Sequence, residues 1–175
     1  MDFIIRDLYG PDLSQCFLQT LCSLGEVQLT PEAAGEIHRR RLHAGVRTYI
    51  AWAVQINEVV GTVSLLVEPK FIHQGGFVGH IEDVAVRRGF EKQGIGSALV
   101  QYAAEQARKS GCYKVILNCS EPLVPFYRAL GYRCHEIGMR IDVHCDPVPP
   151  VTTERATGGE PESLSQESVQ GAPSV

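Results

Sequence analysis

The sequence predicts an α/β protein of the α+β type, in which helices flank a mixed sheet. Strand-like segments are concentrated between residues 49 and 86, and helical patterns precede and follow them. One long strand also passes through a glycine-punctuated turn straight into a helix, over residues 77–109. This order favours an α+β or mixed-sheet architecture. At 175 residues with 44% apolar content, the chain can form a single domain with one core.

Two helices are predicted near the amino terminus, after a first strand in the apolar run FIIRDL at 3–8. Thr30 is a capping hydroxyl and Pro31 occupies the first turn, so a helix begins here and ends before Gly45. An earlier helix opens at Pro11, because apolar residues recur after it at helical spacing. This apolar stripe consists of Leu13, Phe17, Leu18, Leu21 and Leu24.

The central sheet is predicted from a hairpin and a long strand. Asn57-Glu58 is a two-residue turn signal between the β-branched and aromatic segments Tyr49–Ile56 and Val59–Val67. Phe77–Val86 is then expected to be a long central strand.

The rest of the sheet is predicted from the segments near the carboxyl terminus. Tyr113–Asn118 has the apolar pattern of a buried strand. Pro122 opens a short helix, Leu123–Leu130. Tyr132–Glu136 and Met139–Val143 are expected to close the sheet.

The composition changes after residue 143. Residues 1–143 are predicted to form the folded domain, and residues 144–175 a disordered acidic tail rich in Pro, Gly and Ser. Five acids and one arginine follow residue 145, so this tail carries the whole net charge of −4. A tether for a partner and a dispensable segment are both compatible with this composition.

Charge and cysteine patterns exclude several classes of protein. The part before the tail is electrically balanced, and the short basic cluster Arg39–Arg41 is interpreted as a solvated helix face, so no nucleic acid partner is expected. No apolar stretch approaches the roughly 18 residues of a membrane helix. The amino terminus lacks a basic flank before an apolar run, so a cytoplasmic protein is expected. The six cysteines show neither CxxC nor zinc spacing, and no metal is expected.

The stretch that says most about function runs from Gly79 to Gly96. An apolar run holding Glu82 and Asp83 reaches a basic turn that contains Gly94, and a helical pattern follows at once. Free N–H groups and the positive end of a helix dipole converge in such a turn, which therefore suits a phosphate. A tight turn with close packing gives the same Gly-x-Gly pattern, and the sequence alone leaves both interpretations open.

Four segments give the chain a resemblance to a known enzyme family. They are EPKFIHQGGFVGHIEDVAV at 68–86, KQGIGSALV at 92–100, GCYKVILNC at 111–119 and PFYRALGY at 125–132. On these motifs the chain resembles the GNAT N-acetyltransferase superfamily, and within it the glucosamine 6-phosphate N-acetyltransferases. The resemblance implies a mostly antiparallel sheet whose fourth and fifth strands splay apart to admit acetyl-CoA. It also implies acetyl transfer to glucosamine 6-phosphate, in the synthesis of UDP-N-acetylglucosamine.

The resemblance implies a set of residues that bind acetyl-CoA. Backbone groups of Val84, Ala85 and Val86 are expected to bind its pantetheine arm, and the glycine loop to wrap its pyrophosphate. The loop residues are Lys92, Gln93, Gly94, Ile95, Gly96 and Ser97. Tyr127 is expected to protonate the departing thiolate, because a phenol with a pKa of about 10 is protonated at neutral pH. Core packing is the other interpretation of Tyr127.

Glu82 and Asp83 are expected at the acceptor end of the site, with Asn118 nearby. A carboxylate attracts the ammonium form of an amine, orients it and passes its proton to water. Successive side chains on a strand point to opposite faces, so one carboxylate is expected to address the amine and the other to be structural. A local salt bridge is the alternative. A strand N–H near Val84 is expected to hold the oxyanion of a tetrahedral intermediate.

The sugar phosphate site is implied to be shared between the two copies of a homodimer. Its residues are Lys70, Phe71, Ile72, His73, Tyr113, Lys114 and Arg140, together with Glu82 and Asp83. Lysines suit a dianionic phosphate by their charge.

Four positions depart from the pattern of these enzymes. Glu91 stands where the pyrophosphate loop ordinarily opens with Arg or Gln, and Asn118 stands in place of a carboxylate. Cys22 replaces a hydroxyl residue, and Asp142 replaces an arginine for which Arg140 is expected to substitute. Three of these changes fall at the acceptor end. Another small amine, a protein amine, or acyl-CoA binding without catalysis therefore stay open as alternatives.

Overall fold

The computed structural model describes residues 1–143; the segment to which the sequence assigns a disordered tail lies outside this part. One five-stranded sheet has the strand order β1-β2-β3-β4-β5. In chain order the elements are β1 Phe3–Asp7, α1 Phe17–Leu21, α2 Pro31–His43, β2 Val46–Ala53, β3 Glu58–Pro69, β4 Phe77–Val86, α3 Ile95–Lys109, β5 Cys112–Ile116 and α4 Val124–Ala129. Neighbouring strands pair antiparallel except β4 and β5, which are parallel. The predicted α+β class with a mixed, mostly antiparallel sheet is confirmed.

Two apolar layers cover the two faces of the sheet, because side chains alternate along its strands. Val63 and Leu65 of β3 lie in the core under α3, where they join Leu99 and Ala103. The opposite face is covered by α1, α2 and the turn before them. Its buried residues are Leu8, Leu13, Phe17, Ala34, Ile50 and Val59.

The long second helix and the central strand follow the sequence prediction. Thr30 caps α2 by accepting a hydrogen bond from the Ala33 amide at 3.2 Å, and the last residue of the helix is His43. Gly45 follows with φ +76°, the left-handed conformation that ends many helices. The limits of β4, Phe77–Val86, agree with the predicted strand.

The hairpin between β2 and β3 is longer than predicted. Ala53 pairs with Glu58, so the connection is the loop 54–57 rather than a two-residue turn at Asn57-Glu58. Asn57 has φ +53°, and it supplies the left-handed residue of this longer loop. The turn signal therefore identified the residue with positive φ but not the loop length.

The apolar stripe after Pro11 does not form one helix. Gly10–Ser14 is a 3₁₀ turn, and α1 begins only at Phe17 because Cys16, with φ 64°, interrupts the helical path. Leu24 lies beyond the end of α1 and is exposed. The apolar periodicity was correct for Leu13 and Phe17, which are buried.

The two strands predicted after α4 are absent from residues 132–143, which contain no helix or strand. Tyr132–Glu136 and Met139–Val143 are therefore corrected to irregular chain. The alternating apolar side chains of the second segment are exposed: Met139, Ile141 and Val143. Alternation of apolar and polar side chains predicts a strand but does not identify the strand with which it pairs. Within residues 1–143, neither segment pairs with a strand of the sheet. The strand predicted at Tyr113–Asn118 exists as β5, but it is only partly buried.

Candidate active site

A cleft opens in the middle of the sheet where β4 and β5 separate. The two strands pair from Phe77 opposite Cys112 to His80 opposite Ile116, and within residues 1–143 no pairing continues beyond His80. β4 runs on to Val86 along this opening, so its free backbone edge forms one wall. The sheet is thus splayed between its fourth and fifth strands, as predicted.

The cleft has a volume of about 320 Å³ and brings the predicted catalytic residues together. Glu82 and Asp83 come from β4, Asn118 from the segment after β5, and Tyr127 from α4. Val84 and Cys119 also line it. Two carboxylates, an amide and a phenol therefore share one partly apolar opening in the sheet.

A bulge in β4 changes the expected relation between Glu82 and Asp83. Ser64 pairs with Glu82 and Thr62 with Ala85, so β4 has one residue more than β3 between these pairs. Asp83 takes a left-handed conformation with φ 52°. The simple alternation that places the two carboxylates on opposite faces is therefore broken, and both residues line the cleft.

The two carboxylates differ in their partners. Asp83 Oδ2 accepts a hydrogen bond from Ser64 Oγ at 3.1 Å and one from Arg41 Nη2 at 3.2 Å. Arg41 Nη2 also donates to Ser64 Oγ. Among the residues that the structure describes, Glu82 has no hydrogen bond or ion pair through its side chain. Asp83 is therefore held in place, and Glu82 is available to a ligand.

Arg41 corrects the interpretation of Arg39–Arg41 as a solvated helix face. Arg39 does pair with Glu36 on the surface of α2, and Arg40 is exposed. Arg41 instead reaches the sheet, and its side chain is 33% exposed. No sequence signal connects Arg41 with Asp83, because the contact spans 42 residues and depends on how α2 lies on the sheet.

Tyr127 is buried in an aromatic cluster beside the cleft. Its ring packs edge-on against Phe126 at 4.9 Å and against Tyr132 at 5.9 Å, measured between ring centroids. Burial, and to a smaller extent the neighbouring Cys119, raise the pKa of Tyr127. The side chain is therefore a neutral phenol at physiological pH, able to donate a proton into the cleft.

The glycine loop has the geometry of an anion site. Lys92 and Gly94 both have left-handed backbones, with φ 60° and 81°, and α3 begins directly afterwards at Ile95. The first amides of a helix have no acceptor within the helix, and no side chain in residues 1–143 caps this end of α3. The carboxylate of Glu91, which stands in this loop in place of Arg or Gln, accepts a hydrogen bond from the Gly89 amide at 2.8 Å.

The loop is anchored next to the cleft. Ile95 is 1% exposed and belongs to the core, whereas Lys92 and Gln93 are exposed. A Cβ atom built on Gly96 would lie 3.5 Å from Val86 and 3.6 Å from Phe126, in ordinary contact with both. The end of β4 and the start of α3 therefore place this loop close to Phe126, the neighbour of Tyr127.

Unlike Glu82 and Asp83, three other residues predicted for the sugar phosphate lie near the other end of β4: His73, Tyr113 and Lys114. The rings of His73 and Tyr113 are 4.5 Å apart, and Lys114 Nζ lies 5.9 Å from the centre of the Tyr113 ring. Lys114 pairs with Val78, four residues before Glu82, which corresponds to about 13 Å along a strand. A single copy of the chain therefore does not bring this group to the cleft.

The remaining members of this group differ in their surroundings. Lys70 Nζ pairs with Glu68, which also accepts a hydrogen bond from His80 at 2.8 Å. Phe71 and Ile72 are exposed. Arg140 is not on a strand, and its Nε donates to Asp142 at 2.7 Å.

The residues 1–143 contain no cluster of three His, Cys, Asp or Glu side chains that could hold a metal ion. Over the same range, no helix is long and apolar enough to cross a membrane.

Comparison with known proteins identifies relatives with the same architecture. The family model described as "Acetyltransferase (GNAT) family" matches residues 12–132. A glucosamine 6-phosphate N-acetyltransferase of Trypanosoma brucei brucei is 40% identical over 147 residues, which are 82% of this chain and 97% of that protein. The crystal structure of a Trypanosoma brucei acetyltransferase superposes with TM-score 0.77 at 40% identity, over 81% of this chain and 100% of the other. The crystal structure of the Arabidopsis thaliana glucosamine-6-phosphate N-acetyltransferase superposes with TM-score 0.77 at 28% identity, over 82% of this chain and 100% of the other.

Proposed function

The chain belongs to the acetyltransferase (GNAT) family, and we propose that it transfers the acetyl group of acetyl-CoA to the amine of glucosamine 6-phosphate. The observation that carries this proposal is the cleft between β4 and β5. It combines a free strand edge, two carboxylates and a buried phenol in one opening. Relatives that bear the name of this activity cover nearly the whole described part of the chain.

Acetyl-CoA fits the long side of the cleft. The unpaired edge of β4 at Val84, Ala85 and Val86 offers amides and carbonyls to the pantetheine arm, as a neighbouring strand would. The loop Lys92–Ser97 offers the first amides of α3 and a lysine to the pyrophosphate. Glu91 is compatible with this, because its carboxylate is occupied by the Gly89 amide.

The acceptor amine is addressed by Glu82. The amine arrives as an ammonium ion, and a carboxylate without another partner attracts it, orients it and relays its proton to water. Asn118, on the opposite wall, supplies an amide that orients the amine without taking its proton. The backbone N–H at Val84 lies next to the bulge and is suited to hold the oxyanion that forms on the acetyl carbonyl.

Tyr127 completes the transfer. The amine nitrogen forms a bond to the acetyl carbon, the carbon–sulfur bond breaks, and the thiolate takes the phenolic proton. The raised pKa of Tyr127 keeps that proton in place at neutral pH. The nitrogen carries an extra proton once it is bonded to the acetyl carbon. It loses this proton through water to the phenolate, which leaves the amide product and restores the Tyr127 phenol for the next turnover.

A homodimer with a shared site accounts for the separation of the two residue groups. The phosphate-binding candidate Lys114 lies about 13 Å along the strand from Glu82. Phe71 and Ile72 are exposed, as expected of a surface that a second copy covers. The sugar phosphate is thus bound by lysines of the partner subunit.

The same proposal includes a compartment and a metabolic role. Free cysteines at positions 16, 22, 112, 119 and 134 suit a reducing compartment, and we place the enzyme in the cytoplasm. Its product is a precursor suited to UDP-N-acetylglucosamine synthesis.

The test is release of free coenzyme A from acetyl-CoA, followed with glucosamine 6-phosphate, glucosamine, a polyamine or no acceptor. We expect saturable turnover that requires the phosphate. Turnover with the polyamine alone would support a different small-amine acceptor, and binding of acetyl-CoA without turnover would contradict catalysis. The unphosphorylated sugar is the matched control, because it differs only in the group that the lysines bind.

A further inference from the structure

We propose that Arg41 is a positioning residue of this acetyltransferase, which acts through Asp83 to fix the bulge on the acceptor wall of the cleft. The inference rests on the function proposed above and adds a residue from α2, an element that contributes none of the catalytic groups. Arg41 does not line the cleft itself. It contacts Asp83, which does.

The conformation of Asp83 requires support. With φ 52°, Asp83 has a left-handed backbone conformation that is unfavourable for most residues with a side chain. Hydrogen bonds that Ser64 Oγ and Arg41 Nη2 donate to the carboxylate stabilise this conformation. Arg41 also donates to Ser64 Oγ, so the three side chains form a closed triangle between α2, β3 and β4.

The triangle stands between two cavities. Asp83 lines the catalytic cleft and also a second cavity of about 90 Å³ under α1 and α2. Arg41 and Ser64 line only this second cavity, together with apolar residues such as Leu13 and Phe17. Removal of the guanidinium would leave Asp83 beside apolar surface with one hydroxyl partner, and a carboxylate in that position turns toward water. The side chain of Asp83 is already 43% exposed, and Asp83 lines the cleft into which its carboxylate could turn.

Two features of catalysis depend on this triangle. The bulge at Asp83 sets the direction of the following backbone, to which Val84 in the wall of the cleft belongs. The ion pair with Arg41 also keeps the second carboxylate away from the amine, so that Glu82 alone addresses it. Displacement of reacting groups by about 1 Å lowers rates by roughly 100-fold, so a defect here affects the chemical step.

The experiment compares Arg41→Met and Arg41→Lys with Arg40→Gln, a charge change at the exposed neighbour on the same helix. For Arg41→Met we expect kcat with glucosamine 6-phosphate to fall about tenfold or more, while the KM for acetyl-CoA changes less than about twofold. Arg41→Lys keeps the positive charge but lacks the planar guanidinium group, so its kcat should lie between those of Arg41→Met and the wild type. Arg40→Gln should have the kcat of the wild type.

A double-mutant comparison shows whether Arg41 acts through Asp83. If it does, the Arg41→Met/Asp83→Asn variant loses no more kcat than Asp83→Asn alone. Independent, multiplicative losses would overturn the proposal, as would a kcat of Arg41→Met equal to that of Arg40→Gln. If Arg41→Met does not fold, Ser64→Ala and Arg41→Lys decide the question: wild-type kcat in both would overturn it. Absence of turnover in the wild type would instead overturn the proposed function, and this inference with it.

Discussion

At the residue scale, adjacent carboxylates acquire different roles from their partners rather than from their chemistry. Asp83 is bonded to Ser64 and Arg41, which fixes its position. Glu82, one residue earlier, has no such partner among the described residues and lies in the same cleft. The structure thus separates a carboxylate that shapes the site from one that is available to an amine.

Tyr127→Phe tests the proton donor. The phenylalanine ring preserves the edge-on contacts with Phe126 and Tyr132, so only the hydroxyl is lost. General acid catalysis contributes about 100- to 10,000-fold, and we expect kcat to fall by at least about 100-fold with acetyl-CoA affinity within about twofold. Steady-state kinetics and calorimetric titration with coenzyme A measure the two effects. Equal losses in rate and affinity would show that Tyr127 is structural.

Tyr132→Phe is the matched control and has its own expected outcome. Tyr132 Oη is buried without a hydrogen-bond partner in residues 1–143, and burial raises the pKa of this phenol to about 12. Removal of an unsatisfied hydroxyl should leave kcat unchanged and increase the free energy of unfolding at pH 7 by about 1 kcal/mol. Chemical denaturation measures this change. A loss of stability would mean that the hydroxyl has a partner.

The same phenol makes stability depend on alkaline pH. The unfolded chain releases the Tyr132 proton near pH 10, below the pKa of about 12 in the folded protein. Titration of Tyr132 therefore leaves the free energy of unfolding unchanged below about pH 10 and lowers it as the pH rises toward 12. We expect the wild type to lose about 1 kcal/mol more than Tyr132→Phe between pH 9 and 11.5, a value reduced because the ring is partly exposed. Parallel pH curves for the two proteins would contradict the raised pKa.

The residues of the site were predictable where a local motif carries them. Glu82, Asp83 and the loop around Gly94 lie in one continuous segment, and their neighbourhood follows from strand, turn and helix. Arg41 was not predictable, since its role depends on a contact 42 residues away. The bulge was not predictable either, because a non-glycine residue with positive φ leaves no mark in the pattern of apolar residues.

At the element scale, the site depends on how closely α3 approaches β3. A Cβ atom built on Gly61 would lie 2.7 Å from Ile95 Cγ2 and 2.8 Å from Leu99 Cδ1. Both side chains are fully buried and belong to the first turns of α3. Glycine in β3 therefore allows the first turns of α3, and with them the glycine loop, to approach the sheet closely.

Gly61→Ala tests this close approach. The added methyl must displace the side chains of Ile95 and Leu99, and overpacking of a core costs about 1–3 kcal/mol. We expect a lower free energy of unfolding and a KM for acetyl-CoA several-fold higher, because the displaced Ile95 belongs to the pyrophosphate loop. Gly10→Ala is the control, since nothing lies within 4 Å of its Cβ position. If Gly61→Ala and Gly10→Ala had the same free energy of unfolding and the same KM for acetyl-CoA, the packing at the start of α3 would accommodate the added methyl group.

Elements with their own start and stop signals were predicted well. α2 begins at Pro31 after a capping threonine, and β4 has the predicted limits Phe77–Val86. Elements whose existence needs a partner were not: the segments Tyr132–Glu136 and Met139–Val143 have the apolar alternation of strands but form none. The pattern of apolar residues indicates which side chains are favourable to bury. Strand pairing also depends on whether a neighbouring strand has a free backbone edge, which the pattern does not show.

At the scale of the whole molecule, the residues proposed for the site form two groups in one copy of the chain. The cleft with Tyr127 is at the splayed part of the sheet, and Lys114 is beside the paired start of β4, opposite Val78. Lys114 does not line the cleft. In the proposed homodimer, a second copy covers the exposed aromatic side chains of Phe71 and Tyr113 and supplies its lysines to the cleft of the first.

Mixing two inactive variants tests this shared site. In a heterodimer of Tyr127→Phe and Lys114→Ala chains, one cleft has both defects, and the other combines an intact Tyr127 with an intact Lys114 from the partner subunit. Random exchange of equal amounts makes half of the dimers mixed, so about a quarter of wild-type activity should return. Each variant alone, carried through the same unfolding and refolding, is the control. If the site belonged to one chain, the mixture would show only the mean of the two residual activities, because no arrangement of subunits could then unite the two intact residues.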